Sequence, residues 1–488
     1  MKYKPTIGME VHVELATESK MFCECKNELG LDRIPNTNIC PICTGQPGAL
    51  PVANERAIEY VVRAGIALGC EIAKVSKFDR KNYFYPDLPK GYQISQYDQP
   101  LCLGGHLDVG GSPRSSSGGA GNMIGITRIH LEEDTGKLVH QKGNDFSLVD
   151  FNRSGVPLME LVTEPDITSS DEAKKFCEQL QLILRYIGIS DADMEKGQMR
   201  CEANISVSTN DKMGTKVEVK NLNSFKVVEK AIEYEIKRQA ELLDEGKEVA
   251  QETRGWDEGR MVTFSQREKE SAHDYRYFPE PDLPPLEISE YFVEKIRSEL
   301  PELPAQKIER FQKEYKISEY DAEVLVRDKK LAEFFEESVS EGQELSESGE
   351  KIAKLAANYI LTEIRKYLDE KTGIKDLKLT PENFGELMRI TVEGKINSSA
   401  AQMVLSEMIE TGADPENIIA EKNLAQLDDA AEIENIVKKI IDKNPEPAGA
   451  YKAGKQNALQ FLVGQTMKET KGKVNPQRAE ELLKKYLK

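Results

Sequence analysis

Long apolar runs are missing from this 488-residue chain. No window of about 18 apolar residues occurs, which excludes an ordinary membrane-spanning helix. The opening segment, MKYKPTIGMEVHVEL, lacks the apolar core of a secretory leader. The chain is therefore expected to stay in the cytoplasm, with no membrane partner. Neither G-x-x-x-x-G-K-S/T nor G-x-G-x-x-G is present, so any nucleotide site must work without a glycine-rich phosphate loop. No nucleophile–base–acid triad stands out. An excess of positive charge is missing too: the net charge is −18. That argues against a nucleic-acid footprint over the whole surface, though not against a local one.

What is present points to a multidomain α+β protein. The length alone suggests roughly two to four domains. IGMEVHVEL, GITRIHLEED, MRCEANISVS and TKVEVKNL alternate with a period of two and are expected strands. Helices are expected at Asn54–Gly69, Ser170–Gly188 (capped by Ser169 or Ser170) and about Ser224–Glu245. Ser112–Asn122 is Gly/Ser-rich and is expected to be a surface hairpin loop. The Pro-dense segment Pro279–Ser289 is expected to be an extended connector. After it the pattern becomes helical, with a second, smaller helical module from 411 that NPEPAG (Asn444–Gly449) interrupts. Residues 451–488 carry nine Lys/Arg against three acids, 9 − 3 = +6, on an otherwise acidic chain. Lys452, Lys455, Lys468, Lys471 and Lys473 lead that basic tail.

Eight cysteines occur, and four cluster near the start. Cys23-x-Cys25 and Cys40-x-x-Cys43 flank a 14-residue loop. Two close pairs suit a tetrahedral four-sulfur zinc site, structural because no coordination position stays open. A redox pair, or four ordinary buried thiols, would leave the same spacing.

Alternate residues on a strand share a face. Glu10, His12 and Glu14 share one. His130, Glu132 and Asp134 share another, with Glu133 pointing away. Arg200, Glu202 and Asn204 form a third, and Lys216, Glu218 and Lys220 a fourth. Each alone reads as a solvated outer face. Side by side they would offer oxygen ligands for Mg²⁺ and cations for phosphate. Two segments echo each other: RKNYFYPDLPKGYQISQ (Arg80–Gln96) and HDYRYFPEPDLPPL (His273–Leu286). They are either loop aromatics over a core or a pocket that stacks a flat base. In the second case Arg80, Lys81, Lys90 and Arg276 would meet phosphates. Arg153, in NRSGVPLMELVTEPD, would be a further phosphate contact or part of a turn.

These segments, with NTNICPICTGQPGALPVAN, EVKNLNSFK and the tail NPEPAGAYKAGKQNALQFLVGQ, together resemble the B-subunit family of the glutamyl/aspartyl-tRNA amidotransferases. The resemblance covers essentially the whole chain. It implies a mixed-sheet cradle with a zinc knuckle at 1–292, a helical tRNA-contacting domain at 293–410 and a tRNA-binding tail at 411–488. It implies that ATP and Mg²⁺ activate the side-chain carboxylate of Glu-tRNA(Gln) or Asp-tRNA(Asn). An amidase-type A subunit would supply ammonia from glutamine, and a small C subunit would wrap the A–B interface. Motif match and strand geometry together put Mg²⁺ on Glu10, His12 and Glu133 or Glu132. Glu202, Asn204, Glu218 and Lys220 would hold phosphate or the amino-acid moiety. Arg153, Lys81, Arg80 and Arg276 would serve the nucleotide, and Tyr83, Tyr85, Lys90, Tyr275 and Phe278 the substrate. A non-catalytic, zinc-containing tRNA-binding scaffold is the competing expectation. A stand-alone ligase for a free amino acid is a weaker one. The Gly110–Asn122 loop is longer than the family resemblance leads one to expect.

Overall fold

The fold comes from a computed structural model that describes residues 2–28, 34–110, 122–140, 145–210, 212–268, 274–343, 348–369, 371–426, 430–470 and 473–487. The expected hairpin loop, apart from Asn122, lies outside the described residues, as do His273 and Lys471. No helix among the described residues is long and apolar enough to cross a membrane. The chain forms two compact units, Met1–Leu303 and Pro304–Lys488.

The first unit is built on a ten-stranded mixed sheet. Five strands carry the site: β1 (Lys4–Glu14), β2 (Met123–Glu133), β3 (Pro157–Thr163), β4 (Met199–Ser208) and β5 (Val217–Leu222). Their order across the sheet is β5-β4-β1-β3-β2. All pair antiparallel, while β5 pairs parallel with Glu252–Asp257 on its outer side. The period-two pattern of β1 explains its placement. Ile7, Met9, Val11 and Val13 are buried on one face, and Glu10 and His12 lie on the other. The apolar face joins one core with Ala57, Val61 and Ala64 of α1 (Glu55–Ala67), Phe176 and Leu180 of α2 (Ser170–Tyr186), and Val228 and Ile232 of α3 (Phe225–Asp244). The three helices begin where the sequence indicates. Asn54, Ser169 and Ser224 each accept backbone N–H bonds from the first turn.

β3 is a correction. The sequence suggests a turn around Arg153 and lets the four expected strands lie side by side. Pro157–Thr163 instead forms a strand that separates β1 from β2. The Pro279–Ser289 connector is stitched down by short pairings, Phe278–Pro279 with Asp79–Arg80 and Leu286–Glu287 with Val75–Ser76. The first unit also extends past 292. Ile296 of α4 (Glu290–Glu299) buries against Val62 and Ile66 of α1, so the chain leaves this unit only at Leu303.

The second unit is helical, as expected. A boundary at 410 would cut through packed helices, because Ser398–Thr411 and Pro415–Glu421 both rest on Pro381–Val392. A separate small core starts at Ile433 and runs to Leu487. Asn444 does interrupt the tail. One helix ends at Lys443, and Pro445 opens the next, where a missing N–H costs nothing.

Candidate active site

Strand register sets a lattice of polar side chains. One row runs Arg128, Val162, Glu10, Glu202 across β2, β3, β1 and β4. The next runs His130, Glu160, His12, Arg200. Glu160 is the hub, with Nε2 of His12 at 3.3 Å and Nε2 of His130 at 3.2 Å. His12 also lies 3.8 Å from both Glu10 and Glu132. Glu132 accepts a 2.8 Å bond from the Ser95 hydroxyl. Beyond Glu10, Lys220 bonds Glu202 at 2.7 Å and lies 3.5 Å from Glu218. Beyond His12, Arg200 bonds Asp134 at 2.7 Å and lies 3.9 Å from Glu14. Asn204 sits in register between Gly8 and Glu218.

Crowding carboxylates in a half-dry site shifts their protons. Burial, then Glu160 and Glu202, push the Glu10 carboxyl up to about 7. Burial opposes the charge on His12, but Glu160, Glu132 and Glu10 overcome it and raise it to about 9. His130 rises to about 9 in the same way, against burial, through Glu160 and Glu132. Glu160 stays ionised: burial works against it, yet His130 and His12 hold it well below the usual range. Three donor sets offer ligand atoms close enough to share an ion: Glu10–His12–Glu160, His130–Glu132–Glu160 and Glu10–Glu202–Glu218. Oxygen-rich sets of this kind fit a hard divalent cation.

Several sequence assignments need correcting. Glu133 does not join Glu10 and His12. It stands on the opposite face, 2.6 Å from Lys90 and bonded to the Ile94 amide, and lines a separate cavity of about 260 Å³. Lys90 is tied to that pair. Arg80 is not available to a nucleotide either. Its guanidinium grips buried Glu280 at 2.7 and 2.8 Å and stacks on Tyr92. Arg80→Met should therefore cost about 3 kcal/mol in denaturant unfolding by stranding Glu280, with little change in nucleotide binding. Arg276 is exposed, at φ +47°, away from the hub residues' contacts.

The two aromatic segments do meet. Tyr83 and Tyr275 pack edge to face at 6.0 Å, and Tyr97 stacks on Tyr277 at 4.2 Å. Lys81 lies over Tyr83 and Tyr275, and Glu132 and Glu160 keep it charged despite burial. Tyr85 and Phe278 are largely exposed. Arg153 bonds the carbonyls of Thr135 and Gly136 and lines a cavity of about 470 Å³ with Arg200, Glu202, Lys196 and Asn221. Asn221 holds φ +65°, a conformation that costs a non-glycine residue energy and clusters at functional sites.

Sequence reading missed Glu160, Arg128, Tyr97 and Asn221. A usable signal existed for Glu160: it is the one charge in the apolar run PLMELV.

Cys23, Cys25, Cys40 and Cys43 converge within a few ångströms. Sγ of Cys40 and Sγ of Cys43 are 3.8 Å apart, the edge of a tetrahedron with bonds of about 2.3 Å. A hydrogen bond from the Cys23 thiol holds Cys43 down to about 5, helped by the Cys40 amide and the buried Lys20 ammonium. The cluster fits a metal ion such as zinc. In the tail, Lys452, Lys455 and Lys468 are exposed, while Lys473 bonds Asn423 at 3.0 Å.

Residues 5–294 match the GatB/GatE catalytic domain, and residues 333–487 match the GatB domain. The chain is 50% identical over 491 residues to the B subunit of the aspartyl/glutamyl-tRNA(Asn/Gln) amidotransferase of Persephonella marina, covering all of both chains. It is 50% identical to the protein of the same name from Caldicellulosiruptor saccharolyticus and 48% identical to that of Thermotoga maritima. Those alignments cover all of this chain and 99% of each relative. With its acidic sheet face, cysteine knuckle and helical second unit, the chain belongs to the family of aspartyl/glutamyl-tRNA amidotransferase B subunits.

Proposed function

We propose that this chain is the carboxylate-activating subunit of a tRNA-dependent amidotransferase. The observation that carries the proposal is the carboxylate–histidine lattice around Glu160, in a chain half identical from end to end to subunits of that name. The side-chain carboxylate of Glu-tRNA(Gln) or Asp-tRNA(Asn) attacks the γ-phosphorus of ATP, and ADP leaves. Ammonia then attacks the acyl carbon, phosphate departs, and the amide remains. The substrate supplies its own nucleophile, which agrees with the absence of a Ser, Cys or Lys triad.

Glu10, His12, Glu132 and Glu160 would hold Mg²⁺, which supplies charge neutralisation when bound. Glu202, Glu218 and Lys220 form a pre-ordered polar margin beside Glu10, with Asn204 next to it. The cavity at Arg153 and Arg200, about 470 Å³ and lined by cations and carboxylates together, is of a size for the nucleotide. Lys81 with Tyr83, Tyr275 and Tyr277 suits the stacked terminal adenosine of a charged tRNA. An amidase-type A subunit hydrolyses glutamine to supply ammonia, and a small C subunit completes the complex in the cytoplasm. The cysteine cluster binds zinc as a structural clamp.

The test is reconstitution with A and C subunits. ATP and glutamine should then convert Glu-tRNA(Gln) to Gln-tRNA(Gln). No ATP-dependent conversion of any misacylated tRNA would sink the proposal. The helical unit grips the tRNA in this reading. Charge reversal at Lys452, Lys455 and Lys468 should weaken tRNA binding roughly ten-fold or more and flatten its salt dependence, with ATP turnover at saturating tRNA preserved.

A further inference from the structure

The acidic face has cations at its margins, and several are visibly committed. Lys220 bonds Glu202, Arg200 bonds Asp134, and Arg153 bonds two backbone carbonyls. Arg128 differs. It sits at the end of the Glu10 row, and its two cross-strand neighbours are Val162 and Leu103. Neither side chain can accept a hydrogen bond. Its nearest carboxylate oxygen, on Glu160, is 3.9 Å away, beyond hydrogen-bond range. Its side chain is 37% exposed. A guanidinium has five donors in a planar fork matched to phosphate oxygens. Here that fork stands beside the hub of the site with no acceptor among the described residues.

We propose that Arg128 binds a phosphate group of the substrate, its fork bonding the non-bridging oxygens. This rests on the carboxylate-activation reading and deepens it. An acidic face repels a polyanion, and two of the cations that would offset this, Lys220 and Arg200, are held by carboxylates. Arg128 can turn to an incoming anion without stranding a buried partner, because Glu160 keeps His12 and His130. Two sources share the chemistry: the transferring phosphate of ATP, and a backbone phosphate at the acceptor end of the tRNA. The position on the hub, one strand from Glu160, favours ATP.

The test uses the reconstituted complex with Arg128→Gln and Arg128→Lys, each checked for an unchanged melting temperature. Arg128→Gln should lower kcat/KM for ATP roughly 10- to 100-fold, with Arg128→Lys recovering part of the loss. Affinity for charged tRNA and glutamine hydrolysis should not move. If tRNA affinity falls instead and ATP kinetics hold, the bound phosphate belongs to the tRNA backbone. Calorimetric titration with a non-hydrolysable ATP analogue and Mg²⁺, and separately with charged tRNA, decides the matter without turnover. A wild-type complex that binds the ATP analogue yet never turns over would defeat the proposed function and leave the Arg128 assignment to these titrations. If Arg128→Gln matches wild type in both kinetics and both titrations, Arg128 binds no phosphate.

Discussion

Glu160→Gln is expected to lower ATP-dependent transamidation about a thousand-fold, close to 4 kcal/mol in the barrier. The substitution keeps the shape of the side chain and removes its charge. Glu160 accepts from both His12 and His130 and belongs to two of the three donor sets on this face that fit a cation. Its loss therefore takes a ligand from two of them at once. It also removes the main counter-charge that keeps the two imidazoles protonated. The buried hub is only 6% exposed, so water cannot substitute for the missing charge. ADP formation with misacylated tRNA measures the loss. Glutamine hydrolysis by the A subunit and tRNA binding should stay near wild type, which separates a chemical defect from an assembly defect.

A second large effect concerns pH. A divalent cation on this face needs Glu10 ionised and His12 neutral. Without the cation, Glu10 holds its proton up to about 7 and His12 up to about 9. Cation binding must displace both protons below pH 7 and one between 7 and 9. Affinity for Mn²⁺ should then rise about a thousand-fold between pH 6 and pH 8: about a hundred-fold from His12 and about ten-fold from Glu10. Calorimetry in buffers of different ionisation enthalpy would count the protons. His12→Asn should abolish the component above pH 7. Stability runs the other way. The folded-state pKa of His12 is raised, so its contribution is fully present below 6.5 and lost as pH rises through 9. With EDTA present, the melting temperature should fall between pH 7 and pH 10.

Much of the site was legible in the sequence because strand geometry is simple. A period of two places Glu10 with His12, Glu202 with Asn204 and Glu132 with His130, and it already sets Glu133 apart. The α+β class and the helix caps followed from equally local rules. Long-range pairing was not legible. Nothing in PLMELVT says that it lies between β1 and β2, so Glu160 stayed hidden although its charge in an apolar run was a signal. Arg80 looked free because its partner, Glu280, is 200 positions away. The packing of Ser398–Thr411 and Pro415–Glu421 on Pro381–Val392, which spans position 410, was likewise not legible.

The most direct test of the central claim follows an oxygen atom. Glu-tRNA(Gln) labelled with ¹⁸O in the side-chain carboxylate is given to the reconstituted complex with unlabelled ATP and glutamine. If the acidic face brings that carboxylate to the γ-phosphate, each released phosphate carries one ¹⁸O in the wild type, and Glu160→Gln releases almost none. Full conversion to Gln-tRNA(Gln) with unlabelled phosphate would contradict carboxylate activation, and wild-type labelling by Glu160→Gln would place that chemistry elsewhere.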